Sequence, residues 1–396
     1  MVPKGWKLTS LGDISSKIQT GPFGSQLHAH EYTDEGIPVL MPKDLINGRA
    51  DINSAAKIPE TRADDLAKHK LKKGDILFSR RGDVARFGLI TEESEGALCG
   101  TGCLKVSISK ENSALFLSYF LQKSAVRKWL EQNAVGQTML NLNTTILSEL
   151  PIMVASSKQE QQKIAKILST WDKAISTTER LIDNSTQQKK ALMQQLLTGK
   201  KRLLDDEGKP FEDEWKELKL ENVFKLSSGD TKPKDVENEP TEEQKIPVFG
   251  GNNIMGYSAN SNSEGDVILI GRVGEYCGVT RLIQEKCWIT DNALFTKEFS
   301  EEFDRLFIVY LLQNFQLSRL RNKGGQPQVS QKPIYNLKLK IPLLKEQQKI
   351  ATVLTNADKE IELLEQQLTD LQQEKKALMQ QLLTGKKRVV VDGEDA

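Results

Sequence analysis

The sequence is short of the features that mark membrane, secreted and disulfide-rich proteins. Its 396 residues contain no apolar run near the ~18 residues that a membrane helix needs. The opening letters MVPKGWKLTSLGDI lack the apolar stretch of a secretory signal, which predicts a cytoplasmic protein. Only four cysteines occur, without closely spaced pairs, and we expect them to be small buried thiols in a reducing compartment.

The chain also lacks an excess of charge of either sign. The formal net charge is +1, which by itself argues against a protein that binds nucleic acid over its whole surface. Residues 1–158 carry a small positive excess, whereas residues 203–345 carry a negative one. Any contact with phosphates must therefore be local, through a few clustered Arg and Lys, or be shared with partner subunits.

Recognisable catalytic motifs are missing as well. His28 and His30 do not have zinc-site spacing with Cys99 and Cys103, and GKK lacks the flanking residues of a phosphate loop. G-x-S-x-G, a dinucleotide fingerprint and the Pro-Pro-aromatic signature of adenine methyltransferases are absent, and the D-x-K triplet at 230–232 is common in lysine-rich chains. The sequence predicts no catalytic residue, no metal and no cofactor in this chain.

What the sequence does contain is an internal repeat. Residues 160–202 begin EQQKIAKILSTWDKAI, residues 346–388 begin EQQKIATVLTNADKEI, and both end in KKALMQQLLTGKKR. Aligned at a constant offset, 26 of the 43 positions are identical. The segments before these blocks correspond more faintly, as in FLSYFLQ at 116–122 and FIVYLLQ at 307–313. A duplicated unit whose first part diverged accounts for this pattern.

The repeat divides the chain into alternating modules and helical blocks. We predict a variable module at 1–156, a helical block at 157–202, a second module at 203–344, a second block at 345–388 and a tail at 389–396. Each module mixes short strand-like apolar runs with one amphipathic helix and glycine-rich turns, which is α+β composition with long polar loops.

Each helical block carries an apolar heptad seam that requires a partner helix. The predicted apolar seam residues are Ile164, Leu168, Trp171, Ile175, Ile182, Leu192, Leu196, Ile350, Leu354, Ile361, Leu364, Leu368, Leu371, Leu378 and Leu382. Ser157 with Glu160 forms a capping-box pattern, and Gly199 and Gly385 stand where left-handed caps would end the helices. About 40 residues make a rod of roughly 60 Å.

Two near-identical helices in one chain can pair with each other about a pseudo-two-fold axis, which makes them antiparallel. The alternative is that each packs on its own module or drives homodimerisation. Polar residues on a solvent-exposed face are free to change after a duplication. Because these polar residues are identical in both helical blocks, we infer two equivalent surfaces that bind two copies of one partner. The predicted docking residues are Gln194, Gln195, Lys200, Lys201, Gln380, Gln381, Lys386 and Lys387.

Candidate nucleic-acid contacts come from arginines in or beside turns after strands and from amide-rich loops at equivalent places. Arginine suits phosphate or a guanine edge, and amides suit adenine, although each is also an ordinary surface residue. Arg80 or Arg81 corresponds to Arg272 before a glycine in each module. The full candidate set is Arg80, Arg81, Arg86, Gln137, Asn141, Asn143, Arg272, Arg281, Lys323, Gln326, Gln328 and Ser330.

At this point the layout resembles the specificity subunit of type I restriction-modification systems. The twin helical blocks are its most specific part, and GPFGS, IPVL with IPVF, and FGGNNIMGY look like target-recognition-domain sequences. The resemblance implies two target-recognition domains separated by two long antiparallel coiled-coil helices. Each domain would read one half of a split double-stranded DNA site, while the helices set the gap and dock two modification subunits.

The same resemblance implies that catalysis lies elsewhere. S-adenosylmethionine would bind the modification subunits, and ATP with magnesium would bind the restriction subunits of the same complex. The alternative from the residues alone is a coiled-coil scaffold that joins two protein-binding modules. DNA binding across a salt series, with and without a modification subunit, separates the two readings.

Overall fold

The computed structural model describes residues 2–137, 139–322 and 324–391. The chain divides into two units: unit 1 comprises residues 1–177 and 368–396, and unit 2 comprises residues 178–367. Both boundaries fall inside long helices, so each unit contains one module and a part of each helical block. No helix in the described part of the chain combines the length and apolarity that crossing a bilayer requires.

Among the described residues of unit 1, eleven strands and four short α-helices precede the first long helix. The strands are β1 Trp6–Ser10, β2 Ser15–Thr20, β3 Ile37–Leu40, β4 Leu45–Ile46, β5 Gly48–Ala50, β6 Ala56–Ile58, β7 Asp75–Ser79, β8 Phe87–Leu89, β9 Leu98–Cys99, β10 Cys103–Ile108 and β11 Pro151–Ala155. The helices are α1 Glu60–Asp65, α2 Ala114–Leu121, α3 Ser124–Asn133 and α4 Thr144–Ser148.

The buried apolar residues of unit 1 form three clusters, and its strands form three sheets. The largest has the order β2-β10-β7-β8-β5-β4, a second has β6-β3-β9, and β1 pairs with β11. All five residues of β7 are buried, because β7 lies between β10 and β8 and both of its faces are covered. Helix α2 buries six of its eight residues, so it is a core helix where the sequence predicts an amphipathic one.

Unit 2 repeats this plan with fewer strands. Its strands are β12 Lys216–Lys219, β13 Phe224–Ser228, β14 Ile246–Phe249, β15 Ile254–Ser258, β16 Val267–Gly271, β17 Thr280–Ile283, β18 Trp288–Ile289, β19 Ala293–Phe299 and β20 Lys338–Ile341. Its short helices are α6 Arg305–Phe315 and α7 Gln331–Tyr335.

The sheet orders confirm that the modules are copies of one fold. The order β13-β19-β16-β17 matches β2-β10-β7-β8, and β15-β14-β18 matches β6-β3-β9 with the same parallel and antiparallel partners. The pair β12 and β20 matches β1 and β11. The additional β4–β5 hairpin of unit 1 is an insertion at a sheet edge, where insertions disturb a core least.

The long helices are α5 Lys158–Leu196 and α8 Leu344–Leu382, each of 39 residues or about 58 Å. Gly199 and Gly385 have φ of +69° and +66°, as a left-handed C-terminal cap requires. The predicted capping box forms only in part. Ser157 Oγ accepts from the Glu160 amide at 3.4 Å, but the Glu160 carboxylate binds Arg388.

Within each unit the two long helices run antiparallel. In unit 1, Leu382 and Leu383 join the core cluster of Ile164 and Leu168. The later residues of one helix therefore meet the earlier residues of the other. In unit 2 the cluster joins Leu196 and Leu197 to Ile350 and Leu354 in the same sense. Each predicted apolar seam residue is buried or half-buried.

All four cysteines are free and buried, as expected. Burial raises the pKa of Cys99 to about 12, so this thiol stays protonated and unreactive at neutral pH.

Candidate nucleic-acid interface

In unit 1, the loop after β7 is joined by backbone hydrogen bonds to the segment that leads into α4. The Leu142 amide donates to the Arg80 carbonyl at 2.9 Å, and the Gly82 amide donates to the Leu140 carbonyl at 3.1 Å. Between these bonds, Arg81 and Asn141 form an isolated antiparallel bridge. Two candidate loops that lie about 60 residues apart in the sequence therefore form one bridged-loop site.

Unit 2 builds the same bridged-loop site after β16. The Val329 amide donates to the Arg272 carbonyl at 2.8 Å, the Gly274 amide donates to the Pro327 carbonyl at 2.9 Å, and an antiparallel bridge lies between them. The bonding pattern therefore makes Arg272 the counterpart of Arg80. The sequence alone left the choice between Arg80 and Arg81 open.

The two glycines of these loops have left-handed backbones. Gly82 has φ of +75° and Gly274 has φ of +84°. A Cβ atom would meet nothing within 4 Å at either position. Glycine is therefore favoured at these positions by its left-handed backbone conformation and not by a lack of space for a side chain. The glycine turns the chain back toward the segment with which it forms the bridge.

The residue that opens the following short helix differs between the modules. Asn143 is the N-cap of α4, and its Oδ1 accepts from the Ile146 amide at 2.8 Å. Ser330 is the N-cap of α7 and makes no side-chain cap bond. Both side chains are exposed, as are Gln137 and Gln326. Lys323 lies outside the described residues.

In unit 2 the loops border an open pocket whose lining is rich in hydrogen-bond donors. Arg272 Nη1 donates to Ser228 Oγ at 2.9 Å. The pocket is lined by Ser228, Arg272, Leu294, Ser330, Gln331 and Lys332. Two cations and two hydroxyls face one cleft, a suitable lining for a phosphate or a base edge. Sequence reasoning missed the contributions of Ser228 and Lys332, because Ser228 ends a strand about 100 residues away.

Arg80 provides a corresponding unused donor in unit 1. Its Nε is buried and has no hydrogen-bond partner among the described residues. A buried donor without a partner carries a desolvation cost that a bound acceptor would remove.

The other predicted arginines lie in different surroundings. Arg86 is exposed and pairs with Asp83 at 3.2 Å, so the positive charge of Arg86 is partly offset. Asp83 also pairs with Arg127. Arg281 lies inside β17 and not in a turn, and its Nη2 donates to Asn252 Oδ1 at 3.0 Å. Burial lowers the pKa of Arg281.

The repeated letters of the helical blocks separate into two groups. Gln161 is buried, donating to the Ala155 carbonyl at 2.8 Å and accepting from the Ser113 amide at 2.8 Å. Gln347 makes equivalent bonds in unit 2, so these identities have an internal cause. The predicted docking residues are instead exposed on the surface: Gln194, Gln195, Lys200, Lys201, Gln380, Gln381, Lys386 and Lys387.

Over residues 2–137, 139–322 and 324–391, no group of three or more His, Cys, Asp or Glu side chains is placed to hold a metal ion. What the structure defines is a duplicated recognition fold: two α+β modules with equivalent loop sites, each attached to paired helices.

Comparisons with known proteins identify the family. The model of the type I restriction modification DNA specificity domain matches twice, over residues 3–184 and 212–373. The chain therefore belongs to the type I restriction-modification specificity subunits, and each module is a target-recognition domain of that family.

Similar proteins cover nearly the whole chain. The chain is 26% identical to a putative type I restriction enzyme MjaX specificity subunit of Methanocaldococcus jannaschii, over 98% of this chain and 95% of that protein. The crystal structure of a type I S subunit from M. genitalium matches with a TM-score of 0.67 at 20% identity, over 96% and 99% of the chains. A chain from a type I system solved for its complex assembly and conformational transition matches with a TM-score of 0.57 at 15% identity, over 98% and 100%.

Proposed function

We propose that this chain is the non-catalytic DNA-reading subunit of a type I complex, in which each target-recognition domain reads one half of a bipartite duplex site. One observation carries the proposal. The bridged-loop site has the same backbone hydrogen bonds in both modules, but its bridge residues are Arg81 and Asn141 in one and Val273 and Gln328 in the other. A constant scaffold with different side chains is what two half-sites of different sequence require.

The paired helices supply the spacing in this proposal. We assign the recognition domains to residues 1–156 and 203–344 and the spacers to residues 157–202 and 345–388. Base pairs are stacked ~3.4 Å apart, so helices of about 58 Å can hold two readers on separate stretches with an unread gap between them. The excess of acidic residues in residues 203–345 makes the second domain dependent on partners for affinity.

The experiment that tests the proposal begins with methylome sequencing of a host that carries the intact system, because the modified adenines spell out both half-sites. Duplexes with this site are then titrated with the chain, with and without modification subunits, over a salt series. Sequence-specific binding supports the proposal. No DNA binding, with or without a modification subunit, would favour the protein-binding scaffold, and binding that ignores both half-sites would contradict the reading of a bipartite site. We propose the cytoplasm as the compartment, because the DNA that this chain would read lies there.

We expect Arg80→Ala and Arg272→Ala to weaken the reading of different half-sites. Each guanidinium occupies the equivalent position of one module, and loss of one base or phosphate contact corresponds to about fivefold to a hundredfold in affinity. The measurement is competition binding with duplexes altered in one half-site at a time. Each variant serves as the control for the other. Equal loss at both half-sites for either variant would contradict the assignment.

We expect charge reversal on the exposed faces of the repeated blocks to remove modification subunits one at a time. Lys200→Glu with Lys201→Glu should reduce the bound number from two to one, and adding Lys386→Glu with Lys387→Glu should reduce it to none. Native mass spectrometry counts the subunits. The control is Lys166→Glu with Thr352→Glu, at equivalent exposed positions where the two repeats differ. Retention of two subunits by the fourfold variant would refute this docking surface.

A further inference from the structure

In unit 1, the apolar seam of the paired helices is interrupted by a lysine that reaches a single aspartate. Lys375 Nζ of α8 lies 2.5 Å from Asp172 Oδ1 of α5. Tyr119 of α2 donates its hydroxyl to Asp172 Oδ2 at 2.6 Å, and the lysine ammonium lies 5.7 Å from the centroid of the tyrosine ring. The three residues are called the unit 1 clamp.

Unit 2 has the same arrangement, called the unit 2 clamp. Lys189 of α5 binds Asp358 Oδ1 of α8. Tyr310 of α6 donates to Asp358 Oδ2 at 2.6 Å, and the lysine ammonium lies 5.4 Å from the ring centroid. Each clamp therefore joins three elements on one carboxylate: both long helices and the core helix of the recognition domain.

The buried lysine of each clamp does not make the pairing of the long helices more stable than an apolar residue would. The side chains of Lys189 and Lys375 are only 20% and 17% exposed, and a Leu or Met there would stabilise an apolar seam at least as well. A lysine at a single seam position instead specifies one register at a cost in stability. Its retention in both copies, with its aspartate and tyrosine, indicates a role in geometry.

The tyrosine hydroxyl is the link between recognition domain and helix pair. Around it, FLSYFLQ and FIVYLLQ differ at three of seven letters, but the tyrosine is present in both. Burial and the bond to the aspartate raise the pKa of Tyr119 and Tyr310 far above the usual range, so each remains a proton donor at any physiological pH. A phenylalanine would fill the same space without making the bond.

We propose that the two clamps are positioning groups, which fix the rotation of each recognition domain on its helix pair and thereby set how sharply the complex discriminates the gap between half-sites. This inference rests on the proposed function, because the gap matters only if both half-sites are read together.

The first test uses DNA. We expect Tyr119→Phe with Tyr310→Phe to leave the preferred gap unchanged but to reduce its preference over gaps one base pair longer or shorter by about threefold to tenfold. The readout is selection from duplexes with randomised gap lengths. The matched control is Tyr335→Phe, which removes a half-buried hydroxyl that accepts from the Leu226 amide at 2.6 Å inside the recognition domain. We expect this control to lower stability and to keep a sharp gap preference.

The second test does not involve DNA. Spin labels at Asn260→Cys in the recognition domain and Glu362→Cys on α8 report their distance within unit 2, and the native cysteines are buried and remain unlabelled. We expect the distance distribution to broaden in Tyr310→Phe and Lys189→Met, but not in Tyr335→Phe. Unchanged widths in the clamp variants would overturn the inference. Broadened widths with an unaltered gap preference would support the clamps as positioning groups and reject their link to DNA spacing.

Discussion

Removal of one heptad from each long helix, residues 175–181 and 361–367, is expected to shorten the preferred gap by about three base pairs. Seven residues correspond to ~10 Å of helix, and the cut leaves both clamps and both ends of the helices in place. Three base pairs also turn the duplex by about 100°, so we expect weaker binding at the new optimum. Selection from duplexes with randomised gaps measures both effects.

The control for this deletion exchanges the two heptads, which keeps both helices at 39 residues. We expect the exchanged protein to keep the original gap. A deletion variant that folds, binds DNA and still selects the original gap would show that the helices do not set the spacing between the half-sites.

Arg202→Ala is expected to destabilise unit 2 by about 3 kcal/mol, because it leaves a buried carboxylate without its cation. The Glu346 side chain is 1% exposed and accepts from Arg202 Nε at 2.6 Å, from Arg202 Nη2 at 2.8 Å and from Trp215 Nε1 at 3.2 Å. Denaturant unfolding, followed by the fluorescence of Trp215 and Trp288 in a chain whose other three tryptophans are replaced by Phe, measures the loss.

Two further variants separate pairing from packing. Arg202→Met with Glu346→Leu removes both charges, and we expect it to recover most of the stability. Arg388→Ala breaks the equivalent pair in unit 1 with Glu160, whose side chain is also buried at 2% exposed. The arginine there is 45% exposed, so water can take its place beside the carboxylate, and we expect a smaller loss. Equal destabilisation by Arg202→Ala and by the double variant would show that packing, and not the ion pair, matters at this position.

The sequence predicted the repeat, the paired helices and the modules because these depend on local periodicity. The identity of 26 positions and the heptad steps need no knowledge of the fold, and Gly199 and Gly385 end the helices as cap rules require. The predicted capping box at Ser157 and Glu160 forms only one of its two hydrogen bonds. Glu160 has the correct spacing for a box, but a residue more than 200 positions away offers its carboxylate a stronger partner.

The candidate site was less accessible to prediction, because its pieces come from distant segments. Insertions between the modules hid whether Arg80 or Arg81 matches Arg272, and only the backbone bonds decide it. Ser228 reaches the pocket from the end of β13, which no local pattern connects to Ser330. Tyr119 lies in an apolar helix and looks like a core residue, so the sequence shows that the tyrosine recurs in both copies but not that its hydroxyl bonds Asp172.

The discontinuity of unit 1 has a consequence for synthesis on the ribosome. Unit 2 is one continuous stretch, but unit 1 needs residues from position 368 onward, and Leu382 and Leu383 fill its core. At about 5–20 residues per second, the nascent chain emerges for roughly 10 to 40 s between the two parts of unit 1. Unit 1 is therefore started before unit 2 and completed after it, and its apolar face beside Ile164 and Leu168 stays uncovered until Leu382 and Leu383 have emerged.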